Sequence, residues 1–168
     1  SDAEENDGMT ETELLARESI RHTLACYTMA GDRLQIENFI AVFTDNAILE
    51  TDGVPEPDAF RHIGRAAIHT WINRWREHPA TAGQPVHQAS VVRHNLATWL
   101  VEFVDDNWTN AKTRTYWNAY TDIGPDHGGC YVDQLQQVDN CWLIAHRKIR
   151  LDWRSPNSLM YTAITNTR

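Results

Sequence analysis

Gly129-Cys-Tyr-Val-Asp-Gln-Leu-Gln-Gln-Val138, Asp139-Asn140, Cys141-Trp-Leu-Ile-Ala-His-Arg-Lys-Ile-Arg-Leu-Asp-Trp153 reads as two long strands joined by a two-residue turn. Both runs are rich in β-branched and aromatic residues, and Asp-Asn between such runs is a hairpin signal. The same pattern extends upstream. Val91–Val104 and Thr109–Ile123 are two further strands, with Asp105-Asp-Asn and Gly124-Pro-Asp as the turns. Four strands in succession with short connections pair antiparallel in sequence order.

The half before them has a different period. Thr10-Glu-Thr-Glu13 is a capping-box pattern opening a helix that runs to about Ala30, with Ile20, Leu24 and Tyr27 on one stripe and Gly31 as the break. A second short helix buries Ile36, Phe39, Ile40 and Phe43. A strand over Ala47–Asp52 and a short returning strand at Phe60–Ile63 follow. A third helix begins at Gly64, with Ile68, Trp71, Ile72 and Trp75 on one face, and Pro79–Pro85 is loop. Helices first and a long antiparallel sheet afterwards make an α+β fold in which the helices cover one face of a bent sheet. Such a bend encloses a pocket.

The chain of 168 residues suits one domain. The expected division is an acidic, disordered tail over 1–10, one folded domain over 11–155 and a C-terminal extension over 156–168. The opening Ser1–Gly8 has no apolar stretch of the kind a secretory leader carries, and no run approaches a membrane span. A cytoplasmic location is expected. The formal charge of −8 repels polyanions, so nucleic acid and anionic membranes are poor partners. Cys26, Cys130 and Cys141 have neither C-x-x-C spacing nor an even count, and buried, reduced thiols are the plain reading.

Two places set a titratable group in apolar surroundings: Tyr27-Thr-Met-Ala-Gly-Asp32 at the end of the first helix, and Arg93-His94-Asn95 in a strand beside Val91, Val92, Leu96 and Leu100. A histidine held by a carboxylate serves as a general base near neutral pH, because the carboxylate fixes the tautomer and stabilises the imidazolium. A tyrosine nearby polarises a carbonyl or gives a proton to a leaving oxygen. Each residue also has a plainer role. Asp32 with Gln35 fits the cap of the second helix, His94 fits a hydrogen-bonded strand histidine, and Tyr27 lies on the core stripe. His62 and His69, or His87 and His94, are seven apart but lack carboxylates at metal-ligand spacing. No phosphate-binding glycine loop and no G-x-S-x-G occurs. Trp99, Trp117 and Trp153 are candidates for an aromatic cavity. Strand parity leaves open which of Arg114, Tyr116, Trp117 and His127 face inward, since a one-residue slip exchanges the two faces.

Five segments, in order, resemble the SnoaL-like branch of the nuclear-transport-factor-2-like superfamily. They are Tyr27…Gly31-Asp32, Phe39-Ile-Ala-Val-Phe-Thr-Asp-Asn-Ala47, Ile63-Gly64-Arg65, Arg93-His94-Asn95-Leu96, and Tyr131-Val-Asp133 followed by Val138-Asp-Asn-Cys-Trp142-Leu-Ile-Ala-His-Arg147. The resemblance spans about Glu11 to Trp153. It implies a cone-shaped α+β barrel, a curved antiparallel sheet wrapped around the N-terminal helices. It also implies a cofactor-free lyase of the scytalone dehydratase, bile acid 7α-dehydratase or hexachlorocyclohexane dehydrochlorinase type. The substrate would be a small hydrophobic, aromatic or polycyclic molecule.

By the same resemblance Asp32 and His94 look like the catalytic dyad, Tyr27 looks like the tyrosine of the bile acid dehydratase, and Arg150 resembles a pocket arginine. Tyr116, Trp117, His127 and Arg150 are the expected substrate-binding side chains. Isomerases, polyketide cyclases and formaldehyde-releasing lyases share the superfamily, as do the non-catalytic small (beta) subunits of ring-hydroxylating dioxygenases. The Trp142–Asp152 strand and Arg93-His94 resemble those subunits too. Homodimers or homotrimers formed through the outer sheet face are the implied assemblies.

Overall fold

The computed structural model describes residues 8–77 and 89–160. The first seven residues of the expected tail, the Pro79–Pro85 loop, His87, and the part of the extension from 161 onward lie outside the described residues. The elements are α1 (Glu11–Asp32), α2 (Ile36–Ala41), β1 (Phe43–Asp52), β2 (Arg61–Ile63), α3 (Arg65–Glu77), β3 (Arg93–Phe103), β4 (Asn110–Thr121), β5 (Gly124–Val138) and β6 (Cys141–Arg154). The α+β reading holds.

Thr10 caps α1 by accepting the Glu13 amide at 3.2 Å, whereas the Glu13 carboxylate turns away to Arg17 at 2.7 Å. Half of the expected capping box therefore forms. Gly31 does not break the helix, which continues to Asp32. The chain reverses at Leu34, whose φ is 50°, with Leu34 N–H bonded to Gly31 O and Gln35 N–H to Ala30 O. Gly31 serves packing instead: a Cβ there would stand 3.3 Å from the Phe39 ring, so its absence lets α2 close on α1. α2 buries Ile36, Phe39 and Ile40, and Phe43 already belongs to β1.

The strands form one curved, unclosed sheet in the order β2-β1-β6-β5-β4-β3. Strands β3 to β6 pair antiparallel in sequence order, but β1 lies parallel to β6, so the sheet is mixed rather than wholly antiparallel. The parallel pair arises because α1 and α2 deliver the chain to the far edge of the C-terminal hairpin. Asp139 and Asn140 both have positive φ, 49° and 63°, and close the β5–β6 hairpin directly between Val138 and Cys141. The β4–β5 turn is Asp122-Ile123, not Gly124-Pro-Asp126, so β5 starts five residues earlier than expected and takes in Asp126 and His127.

The bend comes from Gly128-Gly129, at a register shift between β5 and β6. A Cβ on Gly129 would fall 1.8 Å from Arg150 O, and one on Gly128 would meet Trp117 O at 2.8 Å. No side chain fits there without moving backbone. The helices cover the concave face. Thr23 donates to Trp142 O at 2.6 Å and Arg17 to Val101 O at 3.3 Å, tying α1 to β6 and β3.

At the centre of that face Arg147 is wholly buried and paired with Asp133 through two bonds, at 2.8 and 2.6 Å. The guanidinium carbon lies 4.0 Å from the Tyr27 ring centre and 4.1 Å from that of Tyr131. Among the thiols only Cys130 is buried, while Cys26 is half-buried and Cys141 exposed. No described helix is long and apolar enough to cross a membrane.

Replacing Gly129 by Ala is expected to cost about 3 kcal/mol or more, at or beyond the upper end of ordinary overpacking, because the clash is with backbone. Urea unfolding checks it. Asp133→Ala strands a buried guanidinium and is expected to cost about 3–5 kcal/mol by the same measurement.

Candidate active site

Between the helices and the bend of the sheet lies a cavity of about 740 Å³, within the usual range for small-molecule sites. α1 contributes Tyr27 and Asp32, α3 contributes Trp71 and Trp75, and the sheet contributes His62, His94, Trp117, His127 and Tyr131. The wall is aromatic with a few polar groups.

Asp32 is the last residue of α1 and its carboxylate grips His94 twice. Oδ2 accepts the His94 backbone N–H at 2.8 Å and Oδ1 lies 2.5 Å from Nδ1. The carboxylate side chain is almost buried, and the imidazole is partly exposed to the cavity. A carboxylate only accepts, so Nδ1 carries the proton and Nε2 is left as the basic nitrogen. The competing cap role is not taken up: α2 has Gln35 at its N-cap and no side-chain capping bond. Tyr27 and Asp32 sit about 140° apart around one helix, and both reach the cavity because it wraps around the helix end.

Tyr27 packs on Phe39, Phe43 and Tyr131, at ring distances of 4.8, 5.9 and 5.8 Å. Burial pushes its phenol above the ordinary value, against the opposing charge of Arg147. It is a neutral phenol at working pH. A stacked pair, Tyr131 on Trp117 at 5.2 Å, links it to His94, whose ring lies 5.6 Å from Trp117. His62 stacks on Phe60 at 5.2 Å and leans on Trp71 at 5.6 Å, and burial followed by the charge of Arg74 lowers its pKa, so it is a neutral part of the wall.

Two of the expected substrate-binding residues face inward and two do not. Trp117 and His127 line the cavity. Tyr116, one residue from Trp117, is 54% exposed on the outer face. Arg150 pairs across β5 with Cys130, also on the outer face, and is bonded to Asp152 at 2.7 Å. The parity that places Trp117 and Ile149 inside puts their neighbours outside. Trp99 packs inward against the core, and Trp153 is exposed.

The residue missed in the sequence is Asp126, which read as part of a turn. It is fully buried and lies 2.7 Å from Nδ1 of His127. It accepts Thr121 Oγ1 at 3.0 Å, Ser158 Oγ at 2.5 Å and the Leu159 amide at 2.7 Å. Burial raises its pKa, but these donors outweigh burial and hold it below the ordinary carboxylate range. The signal for it was an Asp-His pair in a strand, which a turn assignment hid. Among the described residues no three His, Cys, Asp or Glu side chains form a metal-binding group.

Residues 12–148 match the SnoaL-like domain family. The chain belongs to that family. No curated protein matches it. Among solved structures it is similar to a candidate scytalone dehydratase from Novosphingobium aromaticivorans, with a TM-score of 0.69 at 20% identity over 88% of this chain and 91% of that one. A hexachlorocyclohexane dehydrochlorinase of LinA type 3 from Novosphingobium barchaimii gives 0.65 at 14%, covering 85% and 90%. The beta subunit of a candidate aromatic-ring-hydroxylating dioxygenase from Novosphingobium aromaticivorans gives 0.67 at 15%, covering 89% and 98%. At these identities the likeness is one of fold, the SnoaL-like cone.

The depressed pKa of Asp126 makes a pH dependence. Its contribution to stability is complete above the unfolded carboxylate value of about 3.9 and is lost as pH falls through the lower folded value. Acid titration of the folded fraction by circular dichroism is expected to show a flatter profile below about pH 4 in Asp126→Asn than in wild type.

Proposed function

We propose that the protein is a cofactor-independent lyase that removes water, or a comparable leaving group, from a small hydrophobic aryl or polycyclic substrate. The observation that carries this reading is the doubly anchored Asp32–His94 pair opening onto an aromatic cavity. The likeness in fold to a candidate scytalone dehydratase and to dehydrochlorinases points the same way.

In the proposed reaction Nε2 of His94 takes a proton from a carbon made acidic by an adjacent carbonyl or aryl group. The electron pair of that C–H bond forms the new double bond and the C–O bond breaks. The departing oxygen receives a proton from the imidazolium of His94 or from the phenol of Tyr27, and water leaves. Asp32 keeps the proton on Nδ1 and stabilises the imidazolium as it forms. Trp71 and Trp75 stack on the substrate, and His127 contacts it from the wall that Trp117 and Tyr131 complete. The same base would serve an isomerase or a cyclase, which moves the proton without losing a group, or a formaldehyde-releasing lyase.

The beta-subunit reading has one observation of its own, the likeness in fold to a dioxygenase beta subunit. It requires a large iron-containing partner that co-purifies with the chain. Assembly through the outer sheet face, where Tyr116 and Leu100 are exposed, is part of the proposal for either role, and light scattering tests it.

The deciding assay is turnover of β-hydroxy aryl ketones by the purified chain. His94→Ala is expected to lose about 10²–10⁴ of the rate. Asp32→Asn is expected to lower kcat with a smaller change in KM, since it misorients the base without removing wall contacts. Absence of turnover across the substrate panel, together with co-purification of an iron protein, would overturn the lyase reading.

A further inference from the structure

His94, Ala119 and His127 stand in one row across β3, β4 and β5: Ala119 is the register partner of both histidines. A larger residue in the middle would hold the rings apart. Across alanine they lean together, with ring centres 5.9 Å apart and planes at 78°. Each also meets the Trp117 ring, at 5.6 and 5.4 Å. Each histidine lines the cavity and has Nδ1 against a carboxylate, Asp32 in one case and Asp126 in the other. The site thus holds the same device twice, from two unrelated stretches of chain.

Asp126 is anchored more firmly than a simple partner requires. Ser158 Oγ, the Leu159 amide and Thr121 Oγ1 surround its carboxylate, and its carbonyl accepts the Ser155 amide at 2.6 Å. The Ser155–Met160 segment is thereby docked beside His127, and Met160 becomes part of the cavity wall. A buried carboxylate so well supplied with donors stays ionised, and an ionised carboxylate on Nδ1 raises the basicity of the other ring nitrogen.

We propose that Asp126–His127 is a second proton-transfer pair of this cavity, with His127 as a further catalytic residue and Asp126 as the residue that positions it. The proposal rests on the lyase reading for its chemistry. His94 takes the proton from carbon, the C–O bond breaks, and protonated His127 gives its proton to the departing oxygen, so that water leaves. The cycle ends with His94 charged and His127 neutral, and one proton passing between them restores the start. His127 meets the His94 ring directly, whereas the Tyr27 ring packs on Tyr131, which in turn stacks on Trp117.

The test follows both imidazoles by NMR through a pH titration of the full chain, in wild type and in His94→Gln, His127→Gln, Asp126→Asn and Ser158→Ala. Among the described residues, the charged and titratable groups around His127 are Asp126 on its own strand, His94 on β3 with Asp32 of α1 behind it, and Arg154, its register partner on β6. His127 is expected to titrate between about pH 5 and 8 and to fall by about one unit or more in Asp126→Asn. The midpoint of His94 is expected to rise in His127→Gln, because a neighbouring cation has been removed. Ser158→Ala cuts one tie of the docked segment without touching His127. It should lower the melting temperature and leave the coupling between the histidines in place.

If His127 keeps one protonation state throughout and His94 titrates identically in His127→Gln, Asp126–His127 is only a structural tie and the proposal falls. Intact coupling in a protein with no turnover on any β-hydroxy aryl ketone would instead sink the lyase reading and leave the second pair standing.

Discussion

A buried cation lies under the whole arrangement. Arg147 has no exposed surface, yet burial is outweighed by Asp133 and by the two tyrosine faces, which hold it charged. Its Nη1 finds no hydrogen-bond acceptor among the described residues, and the two rings packed against the guanidinium supply attraction in place of one. This fixes Tyr27 of α1 and Tyr131 of β5 against the same guanidinium, so the first helix and the middle of the sheet are registered to each other. A hydrophobic contact alone would allow the helix to slide. The charge pair, with its directed bonds, does not.

Everything at the cavity is placed from that registration. Once Tyr27 is pinned, the last turn of α1 carries Asp32 to the start of β3, where a carboxylate meets both an edge-strand amide and an imidazole. The glycine bend at 128–129 brings β5 across the same space, so that His127 faces His94 over Ala119. Two carboxylate-held histidines in an aromatic enclosure form a site whose imidazoles are already oriented before any ligand arrives. Preorganisation of this kind favours proton transfer, because little has to reorient when charge develops.

The acidic composition and the cavity are separate matters. The chain carries a formal charge of −8, but the acids that bear on the site, Asp32, Asp126 and Asp133, are each engaged by a histidine or an arginine. The basic side chains of the outer face, such as Arg114 and Lys148, belong to a different surface and have no part in the site.

Local sequence by itself determined the elements. Strand runs, the Asp139-Asn140 turn, the Thr10 cap and the helical stripes are set by neighbours a few residues away, and the helix-then-sheet order follows from them. Resemblance of short segments added the dyad, since nothing local says that Asp32 and His94, 62 residues apart, should meet. Tertiary structure alone decided the rest. The parallel seam of β1 on β6 depends on where two helices deliver the chain. The inward choice of Trp117 over Tyr116, and the outward place of Arg150, depend on strand register, which a period-two pattern states only up to an exchange of faces. The helix end passed from Gly31 to Asp32 because Leu34, not glycine, takes the left-handed turn. Asp126 became visible only when the hairpin tightened around Asp122-Ile123 and drew it into β5, where burial and four donors, not sequence, make it part of the site.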